Sequence, residues 1–273
     1  MPDEIHNFRV YGGMKHNSDK KQVWSCGGGT QSVAIGALIV QGRLPKPDFA
    51  VIADTGMEKQ STWDYLESTL GPALASVGVE IHRVKRLEWA QRWANSLFAT
   101  SGQILIPAFT TESGERGKLA AFCSSGWKRE VVDSWLSKVH GVTESKRVKW
   151  LGFSFDESRR WVKHHGKDDI WLPLVDGVRM KRHECVRLVE SMGWGTPPRS
   201  NCWMCPNQSD DEWREVMLNR PDEFRKAVEI ERELRKSDPH AWLHKQCIPL
   251  DQVDFSKPQL EFTRACESGE CFT

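Results

Sequence analysis

The chain has 273 residues, of which 39% are hydrophobic and 27% charged, with 38 Lys and Arg against 37 Asp and Glu. Such a balance excludes a disordered or low-complexity chain, and the length allows one large domain or a domain with an appendage. The longest apolar run, residues 33–40 with Gly36 inside it, is too short to span a bilayer, so no membrane partner is expected. The opening MPDEIHNFRV lacks the basic start and apolar centre of a secretory signal, which makes the cytoplasm the expected location.

In chain order, residues 21–25 read as a short strand and 32–41 as a buried helix, with Gly27, Gly28 and Gly29 between them. Residues 49–53 (FAVIA) form a strand-length apolar run that ends in Asp54-Thr55-Gly56. Trp63, Leu66 and Leu70 follow at helical spacing, residues 79–84 alternate like a strand, and 87–97 are helix-like. Strand alternating with helix predicts an α/β fold, a parallel sheet with crossover helices. The glycine-bearing segment 100–118 predicts a loop, 128–138 a helix and 148–153 a further strand. Helix-like stretches at 180–192, 210–218 and 221–236 then alternate with Pro-rich and Cys-rich turns. The expected division is an α/β domain over residues 1–175 and a helical Cys-rich region over 176–273 docked on it.

Net charge is close to zero, but its distribution is not even. Residues 144–187 carry 11 Lys and Arg against 7 Asp and Glu, whereas residues 207–273 carry 10 against 15. A phosphate-bearing ligand is therefore expected to meet the middle of the chain. Most of the 13 tryptophans are expected to be packing residues, since an indole buries a large area; Trp150, Trp161 and Trp171 lie in the basic middle, where stacking on a base is the other reading.

A strand that runs through glycines into a helix points backbone N–H groups and a helix start at one place, which suits phosphate. The spacing excludes two common forms. No lysine follows the glycines as a Walker loop requires, and "GGGTQS" does not supply the G-x-G-x-x-G dinucleotide pattern. Gly27–Gly29, Asp54–Gly56 and the Gly152–Asp156 stretch each follow or end a predicted strand, so all three are expected on one edge of the sheet, where open α/β sheets bind ligands.

"GGGTQS" resembles the pyrophosphate loop of the adenine nucleotide α-hydrolase superfamily, Ser-Gly-Gly-x-Asp-Ser, with Gly28, Gly29 and Ser32 at matching places. Gly27 takes the position of the first serine and Gln31 that of the aspartate. The loop with Ser25 is similar to the variant of phosphoadenylylsulfate reductase-like proteins of bacteria and phages. "ADTGMEKQSTWDYL" (53–66), "WLGFSFDESRRW" (150–161) and the segment 173–213, which contains "SNCWMCP", resemble further motifs of that family. The resemblance implies a Rossmann-like adenine nucleotide α-hydrolase fold that binds ATP or a related adenine nucleotide with magnesium. It implies nucleotide contacts from Ser25, Gly27, Gly28, Gly29, Ser32, Asp54, Thr55, Gly56, Gly152, Arg159 and Arg160. Among them Asp54, on ribose or magnesium, and Arg159, on phosphate, are the candidate catalytic residues.

Eight cysteines in a chain without a secretory signal suggest metal or redox chemistry rather than disulfides. Cys202 and Cys205 stand at the chelating Cys-x-x-Cys spacing. The resemblance adds Cys123 and implies a [4Fe-4S] cluster; Cys266 and Cys271 are the candidates for a fourth ligand, with Cys266 preferred, and a zinc ion is the alternative for the same thiolates. Cys26 reads as a small loop residue, Cys185 as part of an apolar helix stripe, and Cys247 has no partner at ligand spacing. The function so implied is sulfur transfer or reduction by an adenylating enzyme, with DNA or transfer RNA among its acceptors. The alternative is a nucleotide- or nucleic-acid-binding protein without turnover, carrying a structural zinc.

Overall fold

A computed structural model of the protein describes residues 19–86, 97–98, 102–157 and 169–256. The described residues fall into two compact units, one within 1–53, 60–84 and 132–200, the other within 54–59, 85–131 and 201–273.

The first unit is an α/β layer structure around a five-stranded sheet of order β3-β2-β1-β6-β7. Its strands are β1 (Lys21–Ser25), β2 (Phe49–Asp54), β3 (Ile81–Lys85), β6 (Arg147–Trp150) and β7 (Asp169–Trp171). β1 pairs in parallel with β2 and with β6, and β6 in parallel with β7. Parallel neighbours require crossovers that cover the faces, so β2 reads as a nearly continuous apolar run rather than an alternating one, and the middle of β1 is buried on both sides. β6 departs from that: Arg147 and Lys149 point to one side and are buried, and both reach the Asp133 carboxylate, at 2.8 and 3.0 Å.

α1 (Thr30–Val40) is apolar all round and buried along most of its length, as a helix covered on every side must be. Trp24, Val33, Ile35, Leu38, Leu70, Leu74, Trp150 and Val189 share its core. α2 (Gln60–Tyr65) passes through one π turn, Leu66–Leu70, into α3 (Gly71–Ala75). Pro72 explains the turn: its ring and missing N–H forbid the regular ladder, and Gly71 donates to the more distant Leu66 carbonyl. A π turn, Ser124–Arg129, likewise precedes α4 (Glu130–His140), so the helix expected from residue 128 begins as a widened turn. α5 (Arg182–Ser191) closes the core of the first unit with Cys185 and Val189.

The described part of the second unit combines two α-helices with a small sheet and long connecting loops. α6 (Asp210–Asn219) starts with a reciprocal cap: Ser209 Oγ accepts from Glu212 N at 3.2 Å and Ser209 N donates to the Glu212 carboxylate at 2.9 Å. α7 (Pro221–Ser237) has proline in its first turn, Asp222 and Glu223 beside it, and Arg235 and Lys236 in the last turn, an order that complements the helix dipole. The 100–118 segment is not structureless. It contributes β4 (Phe109–Thr110) and β5 (Gly117–Lys118), which form a small antiparallel sheet with β8 (Ala241–Trp242). Buried Glu231 accepts from the backbone N–H groups of Leu243 and Leu250 at 2.9 and 2.6 Å, tying the turn after β8 to α7. No helix among the described residues is long and apolar enough to cross a membrane. The helix expected over 87–97 lies almost wholly outside the described residues.

Candidate functional site

The glycine loop connects β1 to α1 within the first unit, and its own packing explains the three glycines. Gly28 has φ +71°, and a Cβ there would lie 2.8 Å from Thr62 Cγ2 and 3.6 Å from Ile52 and Leu66 side-chain atoms. A Cβ on Gly29 would lie 3.2 Å from Ser200 Cβ. The side chain missing at Gly28 therefore leaves room for Thr62.

The loop is fastened at both ends. Gly27 N–H donates to Ser32 Oγ at 2.9 Å, and the Ser200 hydroxyl donates to the Gly27 carbonyl. Cys26 N–H donates to the Val51 carbonyl at 2.8 Å. Gly152, two residues past β6, backs onto the same place: a Cβ there would lie 3.4 Å from both Ser32 N and Ser32 Oγ. Gly29, before α1, brings no side chain to cap the helix, and no acidic residue stands in the first turn, so the N–H groups there keep the partial positive charge of a helix start. Beside Gly28, the Thr62 hydroxyl is buried and has no hydrogen-bond partner among the described residues, an arrangement rare for a buried polar group. Ser25 ends β1 opposite Val51 of β2. The expected residues Ser25, Gly27, Gly28, Gly29, Ser32 and Gly152 are thus brought together in one unit.

A network that sequence reasoning did not single out borders this loop. Gln31 Nε2 donates to Glu157 Oε2 at 3.0 Å, and Arg182 Nη1 donates to Gln31 Oε1 at 3.3 Å. The same Glu157 oxygen accepts from Ser154 N and Ser154 Oγ, both at 2.9 Å. Arg182 N–H donates to Asp156 Oδ1 at 3.1 Å. Burial alone would raise the Asp156 pKa, but hydrogen bonds from Ser154 and the Arg182 backbone outweigh it and the carboxyl is lowered.

The remaining expected residues belong to the second unit or lie outside the described residues. Asp54 closes β2 and accepts from Gly56 N–H at 2.8 Å, a local turn with Gly56 at φ +77°. Thr55 is spent on Glu58: its N–H and hydroxyl both donate to that carboxylate, at 2.9 and 2.8 Å. Arg159, Arg160, Trp161, Cys266 and Cys271 are outside the described residues.

In the second unit Glu58 pairs across an isolated β bridge with Cys202, and Lys128 Nζ stands 3.8 Å from Glu58 Oε1. Cys205 N–H donates to the Cys202 carbonyl at 3.0 Å, closing the Cys-x-x-Cys turn. Burial, then the charge of Cys205, pushes the Cys123 thiol up to about 11; burial and Glu58 push Cys202 up as well. Burial opposes the charge of Lys128, yet Glu58 and the three thiols outweigh it and its pKa is raised. Buried Arg86 covers the Trp127 ring at 4.7 Å, and burial lowers its pKa against the attraction of Cys202 and Glu58. Glu58 and Arg86 were not legible as site residues; the signal was the charged pair Glu58-Lys59 after the Asp54-Thr55-Gly56 turn.

Cys123, Cys202 and Cys205 feel one another's charge, burial and that repulsion hold back the ionisation of Cys123 and Cys202, and three neighbouring thiols are a donor set that suits a thiophilic cation. Among the described residues, however, no group of three or more His, Cys, Asp and Glu side chains stands in metal-holding geometry. Cys26 and Cys185 are core residues, each pushed up to about 12, mainly by burial. Cys247 is half-buried at φ 53°.

Compared with known proteins, the chain matches no family model, no curated protein and no solved structure.

Proposed function

We propose that the Gly27–Gly29 loop and the first turn of α1 hold the phosphates of ATP or a related adenine nucleotide, in a phosphoadenylylsulfate reductase-like enzyme of sulfur transfer or reduction. One observation carries the reading: an uncapped helix start follows the glycine loop, with Ser32, Gly152 and the partnerless Thr62 hydroxyl around it. The resemblance of the loop sequence selects the adenine nucleotide among anions. The cysteines of the second unit, Cys123, Cys202 and Cys205, with Cys266, would hold an iron–sulfur cluster; when bound, such a group supplies electrons or sulfur. DNA or transfer RNA is the proposed acceptor class. A second reading, nucleotide binding without turnover and a zinc ion on the same thiols, is favoured by Gln31, a neutral side chain already engaged with Glu157 and Arg182.

The test is calorimetric titration of the full chain with ATP and a non-hydrolysable analogue. Gly152→Val is the informative variant, because its side chain would cover the Ser32 N–H while the parent backbone needs no left-handed conformation there. We expect binding by the parent and a loss of at least about tenfold in the variant, roughly 1.4 kcal/mol. A parent that binds no adenine nucleotide, or a folded variant of equal affinity, removes the loop from the function.

A further inference from the structure

We propose that Arg182 is the cation that faces the anionic ligand of the glycine loop, and that Gln31 is the positioning residue that holds it there without neutralising it. The inference rests on the reading of that loop as a phosphate site, and deepens it. Arg182 is the first residue of α5 and Gln31 the second residue of α1, so two helix starts bring the pair together across 151 residues of sequence.

The orientation of the Gln31 carboxamide follows from its neighbours. A guanidinium can only donate and an ionised carboxylate can only accept, so the amide oxygen must face Arg182 and the amide nitrogen Glu157. An acid at position 31 would satisfy neither neighbour in the same way. It would set a second carboxylate about 3 Å from Glu157 Oε2, where like charges repel, and it would lock Arg182 into a charge-assisted pair. The neutral acceptor at 3.3 Å engages one of the five guanidinium N–H donors weakly. Arg182 is solvent-exposed, so an anion arriving at the loop can reach the guanidinium.

The acids described around the pair, Asp156, Glu157 and Glu184, each accept hydrogen bonds from other groups. Glu157 Oε2 takes three donors, from Ser154 and Gln31, and Asp156 takes the Arg182 backbone N–H. His183 and Glu184 follow Arg182 on α5, and the Glu184 carboxylate accepts from Lys181 N at 2.7 Å. The arrangement leaves the guanidinium charge directed to a ligand rather than to a resident carboxylate.

The experiment titrates the full chain with ATP and, separately, with adenosine, which carries no phosphate. We expect Arg182→Ala and Gln31→Glu each to weaken ATP about tenfold while leaving adenosine unchanged, and Arg182→Lys to retain part of the ATP affinity. Arg187→Ala, an exposed arginine on the same helix outside the network, should bind ATP like the parent. Thermal melts accompany each variant, and Arg182→Lys serves where Arg182→Ala fails to fold. If the parent binds no adenine nucleotide, the phosphate reading and this inference fall together. If the parent binds ATP but folded Arg182 and Gln31 variants bind it equally well, this inference alone is overturned. Equal losses for ATP and adenosine also overturn it, because they show a structural role.

Discussion

Gly28 and Thr62 pack so closely that a Cβ on the glycine would lie 2.8 Å from the threonine Cγ2. Two costs therefore meet at position 28, the left-handed backbone at φ +71° and the crowding by Thr62. We predict that Gly28→Ala destabilises the first unit, by about 1–2 kcal/mol from the backbone term alone and by more with the crowding. Thr62→Ala in the same chain should recover the crowding part only. Denaturant melts of the two single variants and the double variant decide it: strict additivity would show that the two residues are not coupled.

A second prediction concerns the sheet. Arg147 and Lys149, side chains 1% and 7% exposed, share the Asp133 carboxylate, itself 19% exposed. Removing the shared charge leaves two buried cations facing a neutral group. Asp133→Asn should cost about 3–5 kcal/mol, the range for breaking one side of a buried ion pair. Equilibrium unfolding in urea measures it, and a loss below about 1 kcal/mol, typical of exposed pairs, would show that water screens the site.

The elements that sequence reading places well are those whose pattern is local. The FAVIA run gives β2, and the apolar stretch after the glycines gives α1, although the helix begins at Thr30 rather than residue 32. α6 carries its own cap and α7 its proline start, and both have amphipathic spacing. β7 was missed because three residues hold no periodicity. The Gln31–Arg182–Glu157 network joins residues 126 and 151 positions apart, and no local pattern announces a contact made by folding. Residues 54–59 and 85–131 share a compact unit with 201–273 for the same reason: chain order does not show which segments return to one another. The glycine loop was legible as a loop, but the reason for Gly28 was not, because Thr62 is brought to it only by packing.

For the cysteines we predict iron and sulfide in protein purified without oxygen. Cys123→Ala, Cys202→Ala and Cys205→Ala should each lose the metal, whereas Cys185→Ala, a core substitution in the first unit, should retain it. Full metal content in Cys123→Ala would defeat the assignment of that ligand. Stoichiometric zinc without iron or sulfide would instead support the structural alternative.

The final prediction is a pH dependence seated in the second unit. His244 is 2% exposed; its Nε2 donates to Asp210 Oδ1 at 3.0 Å, since a carboxylate can only accept, and its Nδ1 accepts from Gln246 N–H at 3.3 Å. Both ring nitrogens are thus used in a way that only a neutral imidazole allows. Burial lowers the His244 pKa below 6.5, against the attraction of Asp210. Lys245, 2.9 Å from the same Asp210 oxygen, helps hold that carboxyl below its usual range despite burial. Below pH 6.5 the unfolded chain binds a proton at His244 that the folded chain refuses, so the folded state loses stability as pH falls from 6.5 towards the lowered value. The slope approaches about 1.4 kcal/mol per pH unit for one proton. His244→Gln removes the titrating group and should flatten the stability profile between pH 7 and 5, measured by urea unfolding at several pH values. Parallel profiles for parent and variant would show that His244 protonates equally in the folded and unfolded chains.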